Sequence, residues 1–414
     1  MSQPAVIRKP SASEGETAPS EKTFSLEWLL APVTKQEFLE KYFEKQTLVV
    51  RHKDKDYFRG LFSLDEVDRV LTTLDRRYPD IILKNAAKEI TSADYTIDDD
   101  KLDVAKIYQL FQEGSTITLA FLDAVVPTLT NFCRNLENEF SCPFQTNIYM
   151  TPPGAQGAKS HYDTHDVFVL QVAGTKKWNI YGTPVELPLP GQDYDAEIHA
   201  RGDVTMEFTL EEGDVAYVPR GVMHDAHSTE TVSLHITTGM LRYTWTDLML
   251  EALAGVALKD GAFRKALPPG FARGDFDKAK AREMMRELFE RAAESAEFDA
   301  ALGNFVEEFT SACPPLLQGQ MAQMAGLARL TPQSVAGARK GSVARLRDAG
   351  EALKVECYGR QITFPAPARE AVRYALGHAR FVVGELPGEL DDASKVTLVR
   401  RLIREGLVMA LPDA

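Results

Sequence analysis

The spacing of apolar side chains divides the chain into stretches of different period. Between Phe24 and about Leu83 the pattern is mixed. Residues 35–43 place Phe38, Leu39, Tyr42 and Phe43 three and four apart, the spacing of one helix face. Residues 64–71 repeat that spacing behind the capping residue Ser63. The intervening run Thr47-Leu-Val-Val-Arg51 reads as a strand. A third helix is predicted over 120–139, with Phe121, Val125, Leu129, Phe132 and Leu136 on one face. From Gln145 to Met240 the period falls to two, and glycine and proline turns punctuate short strands, which predicts an antiparallel sandwich or barrel. Helices return after Thr244, over 247–258, 276–297 and 298–311. The last ninety or so residues read as a separate module with further helices and a strand-like piece at 354–364. The basic run 339–347 is expected to be helical, with its charges on a solvated face.

Composition narrows this picture without deciding it. The chain has 414 residues, 44% hydrophobic and 26% charged, ordinary for a soluble globular protein of two to four domains. No apolar run approaches the roughly twenty residues that span a bilayer. Residues 1–23 lack an apolar core and are expected as a disordered tail rather than a signal peptide. Four scattered cysteines without a C-x-x-C pair argue against a disulfide scaffold and for a reducing, cytoplasmic location. A net charge of −13 argues against general affinity for nucleic acid or anionic membrane and suits a basic partner.

The chemistry lies in the period-two stretch. Val215 to Val218 form a short buried strand after the turn at 211–214, and Pro219 ends it because proline cannot extend a ladder. Gly221 supplies the freedom for a second turn that delivers His224 to a fixed place. Upstream, His161 and Asp163 stand two apart, so in an extended segment their side chains share a face. Two imidazoles and one carboxylate are the ligands of an iron(II) centre that keeps positions open for substrate and oxygen. His165, His227 and His235 compete with His224 for the third place; His235 is expected inside the barrel near the site.

The hairpin 166–181 adds Lys176 and Lys177, which point to opposite faces. A lysine held inside a barrel needs an anion, and the carboxylate of 2-oxoglutarate is one; alternatively both lysines snorkel to the surface, and periodicity does not choose between the two. Asn147, Tyr149 and Thr237, on neighbouring strands, are candidates for neutral hydrogen bonds.

These residues carry a resemblance. Asn147-Ile-Tyr149 through His161-Tyr-Asp163, then Val167 through Lys176-Lys-Trp178, then Gly213 through His224, resemble the JmjC ribosomal oxygenases of the cupin superfamily. The resemblance implies an α+β chain: a double-stranded β-helix barrel with N-terminal helices, a helical dimerisation region and a C-terminal winged-helix-like domain. The boundaries are then a tail at 1–23, an oxygenase domain at 24–245, the dimerisation region at 246–320 and the last domain at 321–414. It implies an Fe(II)- and 2-oxoglutarate-dependent oxygenase that consumes O2 and hydroxylates a histidyl or arginyl side chain of a protein, in particular a ribosomal protein. His161, Asp163 and His224 are the implied iron ligands. Lys176 is the implied partner of the cosubstrate carboxylate, with Asn147, Tyr149 and Thr237 nearby. A lysine at this position resembles the histidyl-hydroxylating eukaryotic members, whereas the bacterial arginyl hydroxylases place an arginine there.

The sequence departs from the family at Thr164-His165, where many members carry acidic or small residues; this bears on the rim that faces the substrate. The last 49 residues, 366–414, carry seven Lys/Arg and seven Asp/Glu, so the winged-helix-like module lacks a basic footprint for nucleic acid. Three other functions share these residues: demethylation of an N-methylated basic side chain, hydroxylation of another peptide-like substrate, and a metal-binding cupin scaffold without turnover.

Overall fold

The structure, a computed structural model, describes residues 24–412 and the backbone of a short strand, β1 (Val6–Arg8). β1 pairs in parallel with residues 49–51; the rest of the stretch expected as a disordered tail lies outside the described residues. The chain forms two compact units, Met1–Arg242 and Tyr243–Ala414.

The first unit opens with helices α1 (Leu26–Leu30), α2 (Lys35–Lys41), α3 (Leu64–Thr73), α4 (Val104–Gln112) and α5 (Pro127–Phe140). Ser25, Thr34, Ser63 and Asp103 cap the first four, each side chain accepting a backbone N–H three residues on. The helix predicted from residue 120 begins only at Pro127. Phe121 has a left-handed backbone, φ 55°, and Val126, immediately before the proline, is extended, as that position demands.

The strands are β2 (Leu48–Arg51), β3 (Ile81–Lys84), β4 (Thr116–Leu119), β5 (Phe144–Thr151), β6 (Asp166–Ala173), β7 (Lys176–Ile180), β8 (Met206–Leu210), β9 (Val215–Val218), β10 (His224–Ser228) and β11 (Ser233–Met240). One sheet runs β1-β2-β9-β6-β11-β5-β4-β3 and the other β10-β7-β8. Every residue of β9, and all but the last of β6, is buried because both faces are covered. On the outer face Phe38 of α2 packs 4.9 Å from the Tyr217 ring and 5.7 Å from Phe168. On the inner face Val167, Val169 and Ala216 meet Trp178, Ile180 and Phe208 of the smaller sheet. The inward faces of two sheets thus make one core, the barrel that the period-two pattern predicts.

The second unit begins with α6 (Trp245–Lys259), boxed at its start by Thr244 and Asp247, then α7 (Ala279–Ser295), α8 (Phe298–Ala312) and α9 (Gln320–Gly326). There follow β12 (Val335–Ala338), β13 (Arg345–Ala349), β14 (Ala352–Cys357), β15 (Arg360–Pro365), α10 (Arg369–Gly377), β16 (Phe381–Val382), α11 (Asp392–Arg404) and β17 (Val408–Ala410). These elements share an apolar core that includes Val355, Phe364, Val372, Val399 and Leu402. The basic run 339–347 is not a helix. Gly341 turns the chain at φ +71°, and Arg345–Ala349 is a strand paired along its whole length with β14. Pairing with a neighbour overrides the local helical pattern there.

Candidate metal centre and cosubstrate cavity

Three backbone hydrogen bonds assemble the site. β9 ends at Val218, just before Pro219, and Gly221 makes the turn with φ +79°; a Cβ at that glycine would lie 2.1 Å from the Val185 carbonyl oxygen. The Gly221 N–H then donates to the Asp163 carbonyl at 2.9 Å. His224 and His161 exchange N–H and carbonyl bonds at 2.8 and 3.0 Å. Residues 162 and 163 belong to no regular strand, so this bridge and the Gly221 contact hold Asp163 in place.

The donor atoms of His161, Asp163 and His224 all lie within 4.8 Å of one another. His161 Nδ1 is 2.8 Å from the Lys159 carbonyl oxygen, and His224 Nδ1 is 3.0 Å from that of Val222. A carbonyl accepts only, so each Nδ1 carries the proton and each Nε2 keeps its lone pair. The Nε2 atoms face Asp163 at 3.9 and 3.7 Å. Burial lowers the His224 pKa, against the opposing pull of Asp163, which favours the neutral imidazole a metal requires. Two tautomer-fixed imidazoles and a carboxylate fit a divalent first-row ion with open positions.

The other histidines stand apart from this cluster. His165 packs against Gly239, where a Cβ would come within 2.6 Å of its ring. His227 is opposite Lys177, on the face away from the barrel interior. His235 is buried and stacked flat on Tyr149, its partner in register, with ring centroids 5.0 Å apart.

The triad forms one wall of a cavity of about 720 Å³, counting its open mouth. Lys176, Tyr149, Thr237, His235, Thr118 and Trp178 line it as well. Lys176, opposite Ser228 and Leu210, is buried, whereas Lys177 faces outward and pairs with Glu207 at 2.8 Å. The Lys176 ammonium donates to Thr151 Oγ1 at 3.1 Å and has no carboxylate partner among the described residues. Burial alone pulls its pKa down to about 7. His235, beside it, is held neutral by burial and by the lysine charge. Trp178 Nε1, Thr118 Oγ1 and His235 Nδ1 are buried without a hydrogen-bond partner among the described residues. A cavity lined by orphan polar groups and an unpaired lysine fits a polar anion.

Asn147 shares the inner face with Thr237, its partner in register, but does not line the cavity; its amide oxygen accepts the Phe121 N–H at 3.1 Å. Thr118 and Thr151 were not singled out in the sequence. The β-branched alternation Thr116-Ile-Thr-Leu119 is the signal that marks β4, and Thr118 stands opposite Tyr149.

Residues 124–248, which include all three candidate metal ligands and Lys176, match the JmjC domain family. Over that stretch the chain is similar to JmjC domains. It is 32% identical over 315 residues to Ribosomal oxygenase 1 of Rattus norvegicus, which covers 70% of this chain and 52% of that protein. It is 31% identical over 321 residues to the bifunctional lysine-specific demethylase and histidyl-hydroxylase NO66 of Branchiostoma floridae, covering 73% and 48%. The chain therefore spans about half the length of the curated relatives it matches. Its fold is also that of YcfD, a ribosomal oxygenase from Escherichia coli: TM-score 0.52 at 15% identity, over 92% of this chain and 99% of that one. A structure of YcfD in complex with cobalt and 2-oxoglutarate superposes with TM-score 0.51 at 15% identity, over 92% and 99%. In this JmjC domain the large sheet carries Tyr149 and Thr237, and the small sheet carries His224 and Lys176. The cavity thus forms between the two sheets.

Proposed function

We propose that this protein is an Fe(II)- and 2-oxoglutarate-dependent oxygenase that hydroxylates a histidyl or arginyl side chain of a polypeptide, in the first instance a ribosomal protein. One observation carries the reading: a buried lysine without a carboxylate partner shares a cavity with a two-histidine, one-carboxylate triad. Together Fe(II) and 2-oxoglutarate supply oxygen activation coupled to oxidative decarboxylation. His161, Asp163 and His224 hold the ion. Lys176 neutralises the far carboxylate of the cosubstrate, with Thr151, Tyr149 and Thr237 beside it. Trp178, Val167 and Val169 keep this end of the cavity dry.

A polypeptide fits better than a small metabolite, because the cavity continues past Lys84 and His161 into an open groove lined by Lys88, Lys159 and Tyr194. Relatives named for both histidyl hydroxylation and lysine demethylation make demethylation the second reading. We also propose a homodimer, because Trp245, Leu250, Leu258, Met285 and Phe289 in the helical stretch are each more than half exposed. The basic run 339–347 and helices α10 and α11 would then belong to a winged-helix-like module. The buried thiols of Cys133, Cys142 and Cys357, none of them in a disulfide, suit a reducing, cytoplasmic setting. No helix among the described residues is long and apolar enough to cross a membrane.

The test is anaerobic titration with Fe(II) and 2-oxoglutarate, then release of succinate in oxygen, with ribosomal protein digests read for the mass of one added oxygen. Formaldehyde release from an N-methylated peptide would favour demethylation. Unchanged succinate formation in Lys176→Ala would overturn the cosubstrate assignment. No metal-dependent turnover at all would leave a cupin scaffold.

A further inference from the structure

The metal ligands arrive on two chain segments, and one buried carboxylate joins what flanks them. Asp166 is 1% exposed and stands at the start of β6, three residues after Asp163. Its Oδ1 accepts from the Tyr217 hydroxyl at 2.9 Å and from the Arg220 backbone N–H at 3.3 Å. Its Oδ2 accepts from Arg220 Nη1 at 3.0 Å and faces Arg242 Nη1 at 3.4 Å. Tyr217 lies in β9, and Arg220 lies in the turn that leads to His224. Arg242 also donates to the Thr164 carbonyl at 3.2 Å and the Pro188 carbonyl at 3.4 Å. Thr164 is the residue directly after the ligand Asp163.

Glu44 completes the set. It pairs with Arg220, lies 3.7 Å from Arg242 Nε, and its own N–H donates to the Tyr217 oxygen at 2.9 Å. Two guanidinium groups therefore face two carboxylates in a charge-balanced cluster, with Asp166, Arg220 and Arg242 largely out of water and Glu44 partly exposed at its edge. Taking such charges out of water costs more than packing apolar groups of the same shape, so the cluster is poor at adding stability and good at specifying position. Here the positions it specifies are those of the two ligand-bearing segments.

We propose that Asp166 is a positioning residue for the metal centre: with Arg220, Arg242 and Glu44 it fixes the Asp163 segment against the turn that presents His224. Metal affinity then depends on a carboxylate that is not itself a ligand. The inference rests on the metal centre described above.

The experiment is titration of the full metal-free chain with Co(II), followed by visible absorption, for wild type, Asp166→Asn, Arg242→Lys and Tyr217→Phe. Circular dichroism checks each fold. Asp166→Asn is expected to bind Co(II) about 10- to 100-fold more weakly, the range for groups that orient metal ligands, with a shifted absorption band. The two milder variants should shift the same way by less. If Asp166→Asn does not fold, Arg242→Lys and Tyr217→Phe carry the test. A folded Asp166→Asn with wild-type affinity and spectrum, or both milder variants unchanged, overturns the proposal. An Asp163→Ala chain that binds Co(II) like wild type overturns the metal centre instead, and the inference with it.

Discussion

His161 and His224 stand directly opposite each other on one antiparallel rung, exchanging backbone hydrogen bonds at 3.0 and 2.8 Å. Their rings leave that rung side by side, with centroids 4.8 Å apart. Two ligands distant in the chain are thus brought together by backbone register, and the Gly221 N–H ties Asp163 to the same turn. The candidate metal site is a property of the barrel's pairing, and side chains only complete it.

Because the backbone holds the site, removing a ligand should cost metal binding and little else. Asp163 is partly exposed, so Asp163→Ala is expected to change metal-free stability by less than about 0.5 kcal/mol. A divalent ion at a hundred times its dissociation constant should stabilise wild type by about 2.7 kcal/mol. Thermal melts with and without Mn(II) should show that gain in wild type and lose it in Asp163→Ala. Equal gains in both would remove Asp163 from the ligand set.

Lys176 gives the site a pH dependence of known sign. Its folded pKa of about 7 lies below the ordinary 10.5, so the unfolded chain holds a proton that the fold releases. The cost of burying the ammonium is fully present below about pH 7 and relieved as pH rises toward 10.5, so metal-free stability should increase over that range. The groups around the ammonium are Thr151, Tyr149 and neutral His235; Asp163 lines the same cavity, and no carboxylate pairs with the lysine among the described residues. Cosubstrate binding needs the charged form. Affinity for 2-oxoglutarate should therefore be flat below about pH 7 and fall by up to tenfold per unit above it. Calorimetry from pH 6.5 to 9 checks this, and an affinity unchanged at pH 9 would refute it. Lys176→Met should abolish 2-oxoglutarate binding yet stabilise the metal-free fold, by about 1–3 kcal/mol.

Gly221 is a steric requirement of the turn. Gly221→Ala puts a methyl 2.1 Å from the Val185 carbonyl oxygen at a φ of +79°, so the turn must move. A loss of more than about 1 kcal/mol in urea unfolding is expected, with weaker metal binding because His224 follows. Wild-type stability would show that the turn relaxes freely.

For the helical stretch, charge on the exposed apolar surface should disrupt self-association. Leu258 is 78% exposed, so Leu258→Glu should leave each chain folded and shift it toward monomer in sedimentation velocity. A monomeric wild type would overturn the dimer.

Much of this was legible in the sequence, for a local reason. A strand stopped by Pro219 and turned by Gly221 is short-range chemistry, and it pointed to His224. The alternation of Lys176 and Lys177 likewise puts them on opposite faces, without settling whether either enters the barrel. Family likeness named Lys176, and only strand pairing decided it sterically, by setting Lys176 opposite Ser228 on the inner face and Lys177 beside Glu207 outside. Tertiary context also decided Asn147, whose amide is taken by Phe121, and Arg345–Ala349, which pairs with β14 instead of coiling. The cluster around Asp166 was not visible at all, because its members come from Glu44, β6, β9 and Arg242. Periodicity reports which face a residue occupies, while cavities and charge clusters depend on which faces meet, and that is settled only when the chain closes on itself.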